Sequence, residues 1–351
     1  MQFIKALLSG DFLQRNFLQG SSLQGSFLRG NFLQGNNRAS ESASGRLRVG
    51  IIGTGKIGVD LLVKVRRSPW MECVIFSGRN LQSAGMSYAS ELGVPVSDQG
   101  INAFFEPRYR CDIVFDATSA ANHIEHAQVF DRLGILAIDM TPSQIGECCV
   151  PALGMREVLQ NKNISMISCG GQSSIPVAQV LASTIPGVQK IAVKSIVSPN
   201  SIGPGTLANL DEYYHNTKAG LKKYTGVDDF DVELFVDEAN PETRMLTSVT
   251  AYCAAVDTDA VRSPLLAMLE KIQAYVPGYK LEGEPVVVEG GIRVDLSVEG
   301  LGDYLPKYAG NLDIINCAAI AVAEHYAQAV LASRQTKKSL VRYHRDLQLE
   351  Y

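Results

Sequence analysis

"RLRVGIIGTGKIGVDLLVKVRRS", residues 46–68, decides the fold. Its first part is a continuous apolar run, as in a strand buried on both faces, and its last part has the apolar spacing of an amphipathic helix. Between them "GTGKIG" (53–58) fits G-x-G-x-x-G. That pattern alone is weak, but a strand before it and a helix after it are the context a dinucleotide loop requires. Gly53 allows the tight turn, Gly55 lets the backbone approach a pyrophosphate, and Gly58 lets helix pack closely on strand. The pyrophosphate would rest on the helix N-terminus.

Working outward, "CVIFSG" (73–78), "CDIVFDATS" (111–119), "ILAIDMT" (135–141) and "ISMISCG" (164–170) read as further short buried strands separated by helical stretches. This predicts a Rossmann-type, doubly wound parallel sheet over residues 46–168. After residue 190 the strands lengthen: "KIAVKSIVS", "DVELFVDE", "MLTSVTAYCAAV" and "EPVVVEGGIRVDLSVEG" predict an α+β domain, residues 169–310, with a mixed or antiparallel sheet. The Ala-rich helical pattern of 313–333 should pack back on the first domain, so a C-terminal helix is assigned to 311–335 and a basic, solvated tail to 336–351. Residues 11–35 repeat every five residues, like a pentapeptide β-helix. Five repeats make little more than one coil, so 1–45 reads as a low-complexity tail and linker.

Bulk properties exclude several classes. A net charge of −4 gives no electrostatic footprint for nucleic acid or anionic lipid. No apolar run approaches the ~20 residues of a membrane helix, and "MQFIKALLSG" falls short of a signal peptide. Seven cysteines (73, 111, 148, 149, 169, 253 and 317), odd in number and mostly in apolar runs, suit reduced thiols in a cytoplasmic protein. With no CxxC or HExxH spacing, no metal site is expected.

The second strand ends "FSGRN" (76–80), where NAD enzymes offer a carboxylate to the ribose. Arg79 can instead pair with a 2′-phosphate, which favours NADP or dual use, or it can be an exposed arginine stacked on adenine. Cys169 ends a predicted strand just before "SSIPVAQVLASTI". Ser173 or Ser174 could cap that helix and Pro176 suits its first turn. A helix start beside the thiol would lower its pKa. A cysteine beside a hydride acceptor suggests aldehyde oxidation through a thiohemiacetal and a thioester, although most buried cysteines are packing residues. His123 and His126 follow the third strand and could activate a thiol or lie on a solvated first turn. Asp116 reads as a loop cap, Asp211 as a helix-start acid, and Cys148 and Cys149 as packing.

"IIGTGKIGVDLL", "DIVFDATSA", "IDMTPSQIGECCVP", "MISCGGQSSIP", "SIGPGTLANLDEY", "YVPGYKL" and "VEGLGDYLPKYAGNLDI" occur in this order between residues 47 and 330. Together they resemble the acylating (CoA-dependent) acetaldehyde dehydrogenases, Rossmann-type enzymes that partner a pyruvate-forming aldolase. The resemblance implies that Cys169 forms the acyl thioester, with backbone amides and Gln172 holding the oxyanion. It implies cofactor contacts from Thr54, Gly55, Lys56 and Ile57, from Asn200, Ser201, Gly203, Pro204, Gly205 and Thr206, and from Asn311. The implied reaction is reversible: aldehyde, coenzyme A and NAD(P)⁺ give acyl-CoA and NAD(P)H, in a homodimer. Three positions depart from the family: Arg79 stands for an aspartate, Leu207 for an arginine, and Leu246-Thr247 for an Arg-Asp pair. They leave open a reductase acting on another acyl thioester, CoA- or carrier-bound, or a non-catalytic nucleotide-binding partner of an aldolase. A phosphorylating semialdehyde reductase would need basic residues and a base histidine near the cysteine, and neither is evident.

Overall fold

The computed structural model describes residues 45–203, 209–255 and 257–349, with side chains of the last helix through Thr336. The pentapeptide-like stretch and Pro204, Gly205, Thr206 and Leu207 lie outside the described residues.

The opening stretch folds as its pattern dictates: β1 (Leu47–Ile52), a glycine turn, then α1 (Lys56–Arg67). β1 is buried along nearly its whole length because it lies mid-sheet. It pairs in parallel with β2 (Met71–Ser77) on one side and β4 (Ile113–Asp116) on the other. With β3 (Val96–Ser97), β5 (Leu136–Asp139), β6 (Glu147–Cys148) and β7 (Asn163–Ser165), the order is β3-β2-β1-β4-β5-β7-β6, every pairing parallel. The order reverses direction between β1 and β4, the crevice where such sheets bind ligands at the strands' C-terminal ends. Helices α2 (Ala84–Glu91) and α3 (Ala120–Leu133) complete this layer structure.

The second sheet contains β8 (Lys190–Val197), β9 (Asp229–Val236), β10 (Met245–Tyr252), β11 (Tyr279–Leu281), β12 (Val286–Val288) and β13 (Gly291–Val298). Its order is β11-β13-β10-β8-β9, with β12 also on β13; β8 and β9 run parallel and the other pairings are antiparallel. Burial alternates along β10, placing Met245, Thr247, Val249 and Ala251 on the covered face. That face packs with α4 (Cys169–Thr184), α5 (Leu210–Thr225) and α6 (Thr258–Gln273) into one core.

α7 (Gly310–Leu349) ties the two layers together. Ala318, Ala319, Val322, Ala323 and Ala327 join Leu61, Leu62 and Val65 of α1 in the first core, while Ile314 and Cys317 enter the second. The Gly310–Thr336 stretch could cross a membrane by length and composition, yet much of its apolar surface is spent on these two cores. The helical backbone continues through the stretch assigned to a basic tail, ending at Leu349. A buried ion cluster fixes α7 to α1: Lys64 Nζ lies 2.7 Å from Asp60, 2.8 Å from Asp313 and 3.1 Å from Asp303. Those three carboxylates sit as close as cation ligands do, and the cation among them is the lysine itself.

Candidate active site

At the nucleotide loop the three glycines do different work. Gly53 has φ +106°, and a Cβ there would lie 2.4 Å from Ala117 O, so the turn excludes other residues. A Cβ on Gly58 would come within 1.9 Å of Gly53 O, which is the close helix–strand packing expected of that position. Gly55, the N-cap of α1, faces open space with nothing within 4 Å of a Cβ, and no side chain caps the helix. The amides of the first turn, including Lys56 and Ile57, are left for an anion, so the loop fits a dinucleotide pyrophosphate. The end of β2 lies against it: a Cβ on Gly78 would meet Thr54 Cγ2 at 2.5 Å, and Ser83 Oγ bonds Thr54 Oγ1 at 3.3 Å. Arg79 is exposed there, without a hydrogen bond or ion pair among the described residues.

Cys169 lies on the same edge, because β7 ends at Ser165 three strand steps from β1. The helix that carries it starts earlier than its sequence suggests. Cys169 is the first residue of α4, Ser168 is the N-cap, and Ser168 Oγ accepts from Gly171 N at 2.8 Å. Ser173, Ser174 and Pro176 are therefore interior residues, not cap and first turn, and the strand stops at Ser165, not Gly170. The chain makes this turn through Ile167 at φ +66°, a costly conformation for a β-branched residue. Thr217 of α5 holds the cap: its hydroxyl donates to Tyr213 O at 2.7 Å, so the Ser168 hydroxyl 2.7 Å away donates to Thr217.

Two expectations about the nucleophile are corrected. The thiol is not lowered: burial pushes Cys169 up to about 11, although the Gly170 and Cys169 main-chain amides that face the sulfur act in the opposite direction. Nor is Gln172 an oxyanion donor, since both its amide hydrogens are engaged, at 2.8 Å with Cys149 O and 3.0 Å with Met166 O. Gln172 is fully buried and fastens β7 and the 149 segment to α4.

Asn311 meets the 200–203 loop. Asn311, at the start of α7, donates through Nδ2 to Ser201 O at 3.1 Å and leaves its buried Oδ1 without a partner. Asn200 Nδ2 reaches Pro241 O at 3.2 Å, and Ser201 Oγ donates to Ser198 O at 2.9 Å, so both help fold the loop that runs into exposed Gly203.

The comparisons with known proteins follow this division. Residues 48–151 match the family model described as semialdehyde dehydrogenase, NAD binding domain, and residues 169–306 match prokaryotic acetaldehyde dehydrogenase, dimerisation. An acetaldehyde dehydrogenase of Pectobacterium atrosepticum is 47% identical over 281 residues, 80% of this chain and 95% of the relative. Another, from Spirochaeta aurantia, is 44% identical over 81% of this chain and 95% of that one. The chain belongs to the acetaldehyde dehydrogenase family. Aspartate semialdehyde dehydrogenase II of Vibrio cholerae, solved with ASA, shares the fold at a TM-score of 0.53 and 15% identity, over 80% of this chain and 97% of that one.

Leu246 and Thr247, where the resemblance implies an Arg-Asp pair, lie near the cysteine helix. Thr247 Oγ1 lies 3.1 Å from Ser173 Oγ and 3.4 Å from Ser195 Oγ, forming a buried run of hydroxyls, while Leu246 is half-buried beside it. A second polar group emerges where the sequence left alternatives. Asp116 and Asp139 end β4 and β5; His123 Nδ1 lies 2.9 Å and His126 Nδ1 2.8 Å from Asp116 Oδ2, and His123 Nε2 lies 3.6 Å from Asp139. His123 is wholly buried rather than on a solvated turn. Burial opposes its charge, but Asp116 and Asp139 raise its pKa. Burial likewise opposes the Asp116 charge, yet hydrogen bonds from His123, His126 and Thr118 hold that carboxyl at about 2. No motif pairs these residues: Asp116 meets the histidines across the β4–α3 turn, and the adjacency of β4 and β5 adds Asp139.

Proposed function

We propose that the protein is an acylating aldehyde dehydrogenase that interconverts a short-chain aldehyde with an acyl-CoA, using NAD or NADP. One observation carries the reading: Cys169 opens a helix with its sulfur on main-chain amides, on the same sheet edge as an uncapped glycine loop. Gly53, Thr54, Gly55, Lys56, Ile57 and Gly58 would hold the pyrophosphate, Arg79 the adenosine end, and Asn311 with the 200–203 loop the far end. A bound nicotinamide supplies the hydride acceptor, or the donor in the reverse direction. The chain itself supplies the thiolate, its orientation, and partly desolvated surroundings for the sulfur. Cys169 attacks the carbonyl carbon and holds the acyl group as a thioester, which the coenzyme A thiol takes over. Support for a homodimer through residues 169–306 comes from the matched dimerisation model. Arg79 favours NADP over NAD, since its guanidinium suits a 2′-phosphate.

The test mixes purified protein with acetyl-CoA and NADH or NADPH and follows loss of the reduced nucleotide. Cys169→Ala should lower turnover by ~10³-fold or more while nucleotide still binds. Turnover that survives the substitution overturns the covalent reading.

A further inference from the structure

With Gln172 committed elsewhere, few side-chain donors among the described residues remain at the start of α4 for the carbonyl oxygen that Cys169 would charge. The donors around it are spoken for. The Cys169 and Gly170 amides face the sulfur, the Gly171 amide goes to Ser168, and the Ser173 and Ser174 hydroxyls donate to Gly170 O at 3.0 and 2.7 Å. Tyr213, on α5, is the exception. It is 5% exposed, and its hydroxyl lies beside that of Ser195 without reaching good hydrogen-bond geometry to it or to any other described group. That hydroxyl sits where a Gly170 side chain would be, 1.9 Å from the ideal Cβ position, which explains why the residue after the cysteine is glycine. The Thr217–Ser168 hydrogen bond, one turn along α5, fixes this placement. An unpaired buried donor costs about 1–3 kcal/mol, so a fold that keeps one beside a nucleophile leaves it poised for an acceptor. Asn216, three residues on, also keeps a buried Nδ2 unpartnered.

We propose that the Tyr213 hydroxyl donates a hydrogen bond to the oxygen of the carbonyl that Cys169 attacks, making it a catalytic residue of this enzyme. The proposal rests on the cysteine-thioester reading above. In acyl transfer from an acyl-CoA, the Cys169 proton passes to solvent and the thiolate adds to the thioester carbon. The carbonyl π pair moves onto oxygen, where Tyr213 meets it. The pair returns as the carbon–sulfur bond to coenzyme A breaks, and the coenzyme leaves as thiolate and takes up a proton. No oxidant or reductant enters this half-reaction. Burial, with the nearby Cys169 charge, keeps the phenol well above its usual value despite the adjacent Ser195 hydroxyl, so it remains a donor at neutral and alkaline pH.

The experiment follows Cys169 acylation by acetyl-CoA, without nucleotide, by intact-protein mass in rapid-quench samples. Wild type, Cys169→Ala and Tyr213→Phe are compared. Tyr213→Phe keeps the ring and removes only the hydroxyl, and should slow acylation by roughly 10- to 1000-fold, the range for loss of one oxyanion donor. Alkylation of Cys169 by iodoacetamide, a displacement that builds no oxyanion, should proceed in Tyr213→Phe within about twofold of wild type. Acylation of Tyr213→Phe at the wild-type rate overturns the proposal and leaves the thioester reading standing. A parallel fall in alkylation also overturns it, because the hydroxyl would then act on the thiol or the fold. If wild type is not acylated, or Cys169→Ala is acylated equally, the thioester reading itself fails.

Discussion

At Cys169 two effects compete, and their sizes decide the outcome. A helix N-terminus stabilises a nearby anion by about 0.3–1 kcal/mol, up to ~2 in favourable buried geometry. Burial pushes the thiol up to about 11 even with its amide contacts in place, a cost of roughly 3 kcal/mol. Desolvation therefore wins, and the thiolate is a minor species at neutral pH. The thiolate is the reactive form, so the alkylation rate at Cys169 should climb about tenfold per pH unit from neutral pH and level off only near the thiol's own pKa. Peptide-level mass spectrometry after timed iodoacetamide exposure reads this directly; a plateau below pH 9 would contradict the raised thiol. Gln172 teaches a related lesson. The family resemblance implied an oxyanion role for it, but two main-chain carbonyls brought up by β7 and the 149 segment take both its hydrogens. Nothing local in the sequence reveals where those carbonyls lie.

At the scale of elements, the ends of β4 and β5 carry a buried acid–histidine group that links strands to α3. The stability held in Asp116 is present above the carboxyl's ordinary 3.8 and is lost as pH falls through about 2. His123 runs the other way: its raised pKa contributes below its ordinary 6.5 and is lost as pH rises through the folded value. Asp116→Asn should therefore cost most at pH 4–6, of the order of 2 kcal/mol, with a gap to wild type that narrows toward pH 2 and toward alkaline pH. Denaturant titrations at several pH values measure that gap; a difference flat with pH would refute the pairing. Why this group was hidden while β1–α1 was plain follows from range. Residues 46–68 are decided by apolar continuity and glycine spacing, which are local. Asp116 meets the two histidines only once α3 folds back against β4, and Asp139 joins them only when β5 pairs with β4. The early start of α4 was hidden for the same reason: Gly170-Gly171 disfavours helix, and contacts from Tyr213 and Thr217, more than forty residues away, override that.

Over the whole molecule, the cofactor loop, the cysteine helix and Asn311 come from three parts of the chain, so their relative placement depends on how the two sheet layers are joined. α7 makes that joint, with one face in each core, and the Lys64 cluster pins it to α1 and to the 303 turn. Burial alone would discharge Lys64, but Asp313 and Asp60 keep it charged, above its ordinary value. Arg67 adds a second cation to Asp303 at the rim, and Asn316 Nδ2 donates to Asp60 at 2.8 Å. Such a network need not add net stability over an apolar filling, yet removing its lysine leaves three close carboxylates to repel one another. Lys64→Met should thus cost about 3–5 kcal/mol in denaturant unfolding. Trp70, the single tryptophan, follows α1 and reports the parallel-sheet layer, whereas far-UV circular dichroism reports both layers. In wild type the two signals should share one midpoint; in Lys64→Met the Trp70 transition should come first, as α1 loses its hold on α7. Coincident transitions at the wild-type midpoint would mean that the apolar faces of α7 suffice to join the layers and that the ion cluster is dispensable.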